Sequence, residues 1–200
     1  MALAPQFIGH RIGAATAPHT LEVYLDYVCP FSAKIYRKLR EIILPYIEQH
    51  YPGQVQFIFR QQVQPWHPTS TMVHEAAIAV EAIDASKFMP FSDALFEKQK
   101  DYFDEFVYNK SRHAIYGQLA DLVQASVGIS GEKFLELVSV VSGSSNGGNK
   151  VTDKLKMQIK FARQLGVHVS PTVFWDGIRE DSVSSSWDLD QWKEFLAKKL

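Results

Sequence analysis

Leu21, Val23 and Leu25 alternate with Glu22, Tyr24 and Asp26, a period of two that predicts a strand. Ile35, Leu39, Ile42, Ile43 and Ile47 then recur at helical spacing, and Pro30 stands at the start of that run. Proline suits a first helical position because its missing N–H would be unpaired there anyway. Pro45 is expected to kink or end the helix near Leu44. After a Pro52-Gly53 turn, Val55, Phe57 and Phe59 alternate with Gln56, Ile58 and Arg60 as a second strand. Strand, helix and strand so closely spaced make a βαβ unit with parallel strands.

Residues 1–20 show no sustained period and read as a surface arm, pinned by Phe7 and Ile8. Past a rigid exit at Pro65-Trp66-His67-Pro68, four helical patterns follow: Thr71 to Ile83, Ser86 to Tyr102, Arg112 to Val127 and Gly131 to Val141. Ser111 and Ser130 are expected N-caps, and Gly128 ends the third pattern. Ser142 to Asn149 reads as a linker, and Lys150 to Leu165 as an amphipathic helix closed by Gly166. Asp176-Gly177 predicts a hairpin between Thr172 to Trp175 and a short partner from Ile178. Asp188 to Leu200 is acid-started and lysine-ended, as the helix dipole favours.

Composition narrows the classes of function. At 200 residues, 46% hydrophobic and 12% aromatic, the chain can bury a sizeable core in one or two domains. A net charge of −1 offers no electrostatic footprint for nucleic acid or an anionic membrane surface. No window approaches the ~18 apolar residues of a membrane span, and the N-terminus lacks the pattern of a secretory signal. With a single cysteine, which excludes an internal disulfide, this predicts a cytoplasmic protein in a reducing compartment. His67 and His74 lie seven apart, which matches no metal-ligand spacing, and no metal or tightly bound cofactor is expected.

That cysteine, Cys29, falls at the strand-to-helix junction, where the helix N-terminus favours a thiolate over a thiol. Cys29-Pro30-Phe31-Ser32 after an apolar strand resembles the active-site motif of the thioredoxin superfamily in its DsbA-like branch, usually Cys-Pro-x-Cys. Ser32 is a departure, because the second, resolving cysteine is absent. The segment is also similar to that of kappa-class glutathione transferases and 2-hydroxychromene-2-carboxylate isomerases, with Asp26, Cys29, Pro30 and Phe31 at the matching places. Ser170-Pro171-Thr172 resembles the strand entry that carries a cis-proline opposite the motif in this superfamily.

The resemblance implies an α/β, thioredoxin-like fold with an all-helical insertion: a thioredoxin-like domain from residues 1–67 and 146–200, with the insertion at 68–145. It implies Cys29 and Ser32 as catalytic residues. Pro30, Phe31, Ser170, Pro171 and Thr172 would bind substrate or glutathione. Two readings of Ser32 stand, a hydrogen-bond donor to the Cys29 thiolate and an ordinary early-helix polar residue. The leading function is a monothiol thiol–disulfide oxidoreductase that forms a mixed disulfide at Cys29, with glutathione as co-substrate. The partners would be a small thiol or a protein thiol or disulfide. The alternatives are a kappa-type glutathione transferase or isomerase and a redox-silent peptide-binding module of the same fold.

Overall fold

The computed structural model describes residues 3–140, 142–143 and 145–200. Its centre is β2 (His19–Leu25), which pairs in parallel with β3 (Val55–Gln61) and antiparallel with β4 (Thr172–Trp175). The five-stranded sheet runs β1-β3-β2-β4-β5, with β1 (Arg11–Ile12) on β3 and β5 (Ile178–Arg179) on β4 at the edges. The Asp176-Gly177 turn has positive φ at both residues (49° and 80°), as a two-residue hairpin of this type requires. The Asp176 carboxylate also accepts from the Thr20 N–H at 2.7 Å, which fastens the hairpin to β2.

Both faces of β2 are covered, and this corrects the simple alternation of its sequence. Leu21, Val23 and Leu25 enter the main core, yet Glu22, Tyr24 and Asp26 on the other side are also buried. Glu22 is tolerated because Arg60, on the neighbouring strand, donates to it at 2.6 Å. The Arg60 guanidinium lies 4.7 Å from the centre of the Phe161 ring, on helix α8 (Thr152–Gln164).

Helix α1 (Pro30–Lys38) does not end near Leu44. It passes through a π turn (Leu39–Ile43) into α2 (Leu44–His50), with the Leu44 N–H bonded to the Leu39 carbonyl. The wider turn accommodates Pro45, which lacks an N–H and crowds the carbonyl four residues back. Leu39, Ile43 and Ile47 stay buried throughout.

Between β3 and α8 the described residues form helices and short turns, with no strand: α3 (Ser70–Ile83), α4 (Phe88–Glu97), α5 (Asp104–Val107), α6 (Arg112–Val127) and α7 (Gly131–Val138). Helix α3 is buried from Val73 to Glu81, so its apolar positions form no one-sided stripe, and Ile83 is among its exposed residues. The expected Ser86-to-Tyr102 helix breaks at Lys98 and finishes as a 3₁₀ turn (Gln99–Tyr102), and α5 follows where the pattern had suggested none. Ser111 caps α6 through its hydroxyl, whereas Ser130 makes no side-chain cap bond at α7. Val141 and Ser144, within the predicted fourth helix and the linker respectively, lie outside the described residues. Helix α9 (Leu189–Lys199) closes the chain with a capping box between Asp188 and Gln191. In the N-terminal arm Phe7 is buried and Ile8 exposed. His10 takes the pinning role, with its ring bonded to the Phe59 carbonyl and to Glu81.

Candidate active site

The end of β2 delivers Asp26 inward, and the chain then turns so that Cys29 becomes the N-cap of α1, with φ −85° and ψ 120°. The Cys29 N–H bonds the Asp26 carbonyl at 3.1 Å, and its own carbonyl starts the helix by accepting from Ala33 at 3.1 Å. Pro30 and Phe31 face outward, Phe31 with 64% of its surface exposed. Opposite them, the Ser170–Pro171 peptide is cis, and the Cys29 Sγ donates to the Ser170 carbonyl at 3.4 Å. Cys29 and the Ser170-Pro171 step, 141 positions apart at the hydrogen bond, therefore form one site.

Not every candidate side chain joins it. Ser32 is fully buried and its hydroxyl accepts from the Asp26 N–H at 3.2 Å, with no hydrogen bond to Cys29. Thr172 is buried as well and donates to the Val169 carbonyl at 2.8 Å, while its backbone pairs with Tyr24.

Residues beyond those side chains support the site. Gln99, in the 3₁₀ turn after α4, donates to the carbonyls of both Tyr27 and Cys29, at 2.7 and 2.9 Å, and so fixes the turn from the helical side. Gln64 donates to the Ser170 hydroxyl at 3.1 Å through its side chain and to Asp26 Oδ2 at 3.1 Å through its backbone. Asp26, fully buried, also accepts from the Val28 N–H (2.9 Å), Ser70 (2.9 Å) and His67 Nδ1 (2.8 Å). His74 Nε2 stands 3.6 Å from it, just beyond hydrogen-bond length. Burial pushes the Asp26 carboxyl up, but the contacts from His67 and His74 and the Val28 amide outweigh it and hold the group well below the usual carboxylate range. Asp26 had an advance signal in its match to the kappa-class motif, three residues before the cysteine, whereas Gln64 and Gln99 had none beyond their place in the chain.

A groove of about 290 Å³ opens beside this turn, lined by Val28, Pro30, His67, Phe103, Asp104 and Glu105. A larger cleft of about 450 Å³ lies along α1 and α4 around the Arg40–Asp93 ion pair, but none of the thiol-site residues lines it. His168 is exposed and bonds the Gly166 carbonyl. Among the described residues no cluster of three metal-binding side chains occurs.

A family model described as Thioredoxin matches residues 8–198. The chain belongs to the thioredoxin family. Relatives and solved structures of similar sequence or fold include the following. Disulfide bond formation protein D of Bacillus subtilis (strain 168) is 25% identical over 194 residues, covering 94% of this chain and 76% of that protein. A solved structure described as a "putative protein-disulfide isomerase" from Pseudomonas syringae superposes with a TM-score of 0.74 at 23% identity, over 96% of this chain and 99% of that one. The thiol-disulfide exchange protein α-DsbA2 of Wolbachia pipientis gives a TM-score of 0.65 at 19% identity, over 98% and 90% of the two chains. At these identities the solved structures speak for the fold, an α/β thioredoxin-like sheet with a helical insertion. No helix among the described residues is long and apolar enough to cross a membrane.

Proposed function

We propose that this protein is a thiol–disulfide oxidoreductase that works through a single thiol. The observation that carries the reading is the meeting of Cys29, at the N-cap of α1, with the Ser170 carbonyl at 3.4 Å. A thiolate formed there attacks one sulfur of a substrate disulfide. The Cys29–substrate bond forms, the old sulfur–sulfur bond breaks, and the departing sulfur leaves with the electron pair. The mixed disulfide is then opened by an external thiol, because the chain holds no second cysteine. Glutathione is the resolver in this reading, and the substrate is a small or protein-borne disulfide reached in a reducing compartment such as the cytoplasm. Exposed Pro30 and Phe31 and the Ser170-Pro171 step supply the surface on which the substrate lies.

The names of the relatives support the same chemistry, since one is a disulfide bond formation protein and another a thiol-disulfide exchange protein. The test is direct. Reduced protein incubated with oxidised glutathione and weighed intact gains one glutathione, and Cys29→Ser gains none. If the wild type remains unmodified while free cysteine under the same conditions reacts, the reading is wrong.

A further inference from the structure

The exchange reaction needs more than a nucleophile. An alkyl thiolate is a poor leaving group, and a proton given to it as it departs speeds the step. His67 stands in the groove beside the turn that carries Cys29. Its Nδ1 is held 2.8 Å from the fully buried Asp26, which fixes the ring, while Nε2 makes no hydrogen bond within the described residues. The side chain is 21% exposed and lines the groove together with Val28 and Pro30, the two neighbours of Cys29 in sequence. The turn that carries His67 is tied to the other half of the site too. The His67 N–H bonds the Gln64 carbonyl at 3.1 Å, and Gln64 bonds the Ser170 side chain. One hydrogen-bonded path thus runs from Cys29 through Ser170 and Gln64 to Asp26 and His67.

We propose that His67, oriented by Asp26, carries the proton of the sulfur exchange at Cys29. This rests on the oxidoreductase reading above. As Cys29 attacks, its sulfur bonds to one substrate sulfur, and the other departs with the electron pair and takes the proton from His67 Nε2, leaving as a thiol. In the return half, an incoming small thiol gives its proton to His67 and attacks the mixed disulfide, and Cys29 departs as thiolate. The histidine ends as it began, and the small thiol's sulfur takes the place of Cys29 on the substrate sulfur, so that one thiol has been released and one new mixed disulfide formed. Asp26 is the positioning residue. The other ionisable groups facing His67 are Asp104 and Glu105 from α5 across the groove and His74 from α3 behind Asp26.

The experiment compares two disulfides in single-turnover reactions with the reduced protein: bis(2-hydroxyethyl) disulfide, whose alkyl thiolate needs a proton, and dithiobis(nitrobenzoate), whose aryl thiolate leaves unaided. Wild type is expected to react with the two at rates much closer to each other than free glutathione does at the same pH. His67→Gln is expected to lose about 10²-fold on the alkyl disulfide, the usual worth of one general acid, and less than about 3-fold on the aryl one. Asp26→Asn shifts the ratio in the same direction. A His67→Gln protein that slows both disulfides alike overturns the proposal. Should that variant not fold, wild type alone decides, because an alkyl-to-aryl ratio equal to that of glutathione also overturns it. A wild-type Cys29 inert to both disulfides refutes the oxidoreductase reading instead, so the two failures are told apart.

Discussion

Replacing Asp26 with Asn tests whether the thiol site is held together from beneath. The carboxylate is fully buried and accepts two hydrogen bonds at each oxygen, Val28 and Ser70 at Oδ1, Gln64 and His67 at Oδ2. An asparagine keeps one oxygen for Val28 and Ser70 but turns an NH₂ toward the other pair. His67 can change tautomer and accept; the Gln64 backbone N–H cannot and is left buried without a partner. That costs about 1–3 kcal/mol, and losing the charge on the remaining bonds about 1.5–3 more. The sum is roughly 2.5–6 kcal/mol at pH 7, or on the order of 10 °C in melting temperature for a chain of this size.

The same variant has a pH signature. Because folding holds the Asp26 carboxyl below its unfolded value of about 3.9, its contribution is complete above that pH and drains away below it as the unfolded chain takes up the proton first. At pH 3 wild type should have lost about 1.3 kcal/mol from this group alone, and the gap to Asp26→Asn should narrow by that amount. Denaturant titrations of both proteins at pH 7, 4 and 3 measure this. An Asp26→Asn protein within about 0.5 kcal/mol of wild type at pH 7, or a gap that widens on acidification, would refute the account.

Glu22→Gln leaves the buried Arg60 guanidinium without its anion and should cost about 3–5 kcal/mol in denaturant unfolding, whereas Glu22→Leu with Arg60→Met together should be near neutral or stabilising; a cost below about 1 kcal/mol for the single change would mean that the pair is hydrated. Ser32→Cys puts a second thiol one helical turn from Cys29, with Cα atoms roughly 5 Å apart and so within disulfide reach. Mild oxidation should then close an intramolecular bond seen as loss of two alkylatable thiols, and thiols that stay free would show that the buried Ser32 position faces away from Cys29.

The thiol half of the site was legible because it rests on local signals: alternation, a proline at the helix start, a cysteine between them and a second proline before a strand. The sheet followed from the same patterns, and only its two-residue edge strand β1 escaped, being too short to show a period. What escaped otherwise was set by tertiary context. Asp26 and Glu22 read as the wet side of a strand, yet helices cover that face, and only partners distant in sequence, His67, Ser70 and Arg60, make their burial tolerable. Pro45 read as a kink or an end because local geometry forbids an ordinary α turn there; a π turn lets the helix run on. Gln99 carries no motif at all, and its amide matters only because the fold brings it to two carbonyls.

The reach of those long-range bonds bears on how the protein comes into being on the ribosome. The Ser170 carbonyl that meets the Cys29 sulfur is synthesised 141 residues after it, and β4, which completes β2 on one side, later still. At roughly 5–20 residues per second, the emerging chain carries an unescorted thiol for roughly 7–30 s before its site can be assembled. A chain with several cysteines could pair wrongly in that interval. This one has a single cysteine, so no wrong internal pairing is open to it while it waits.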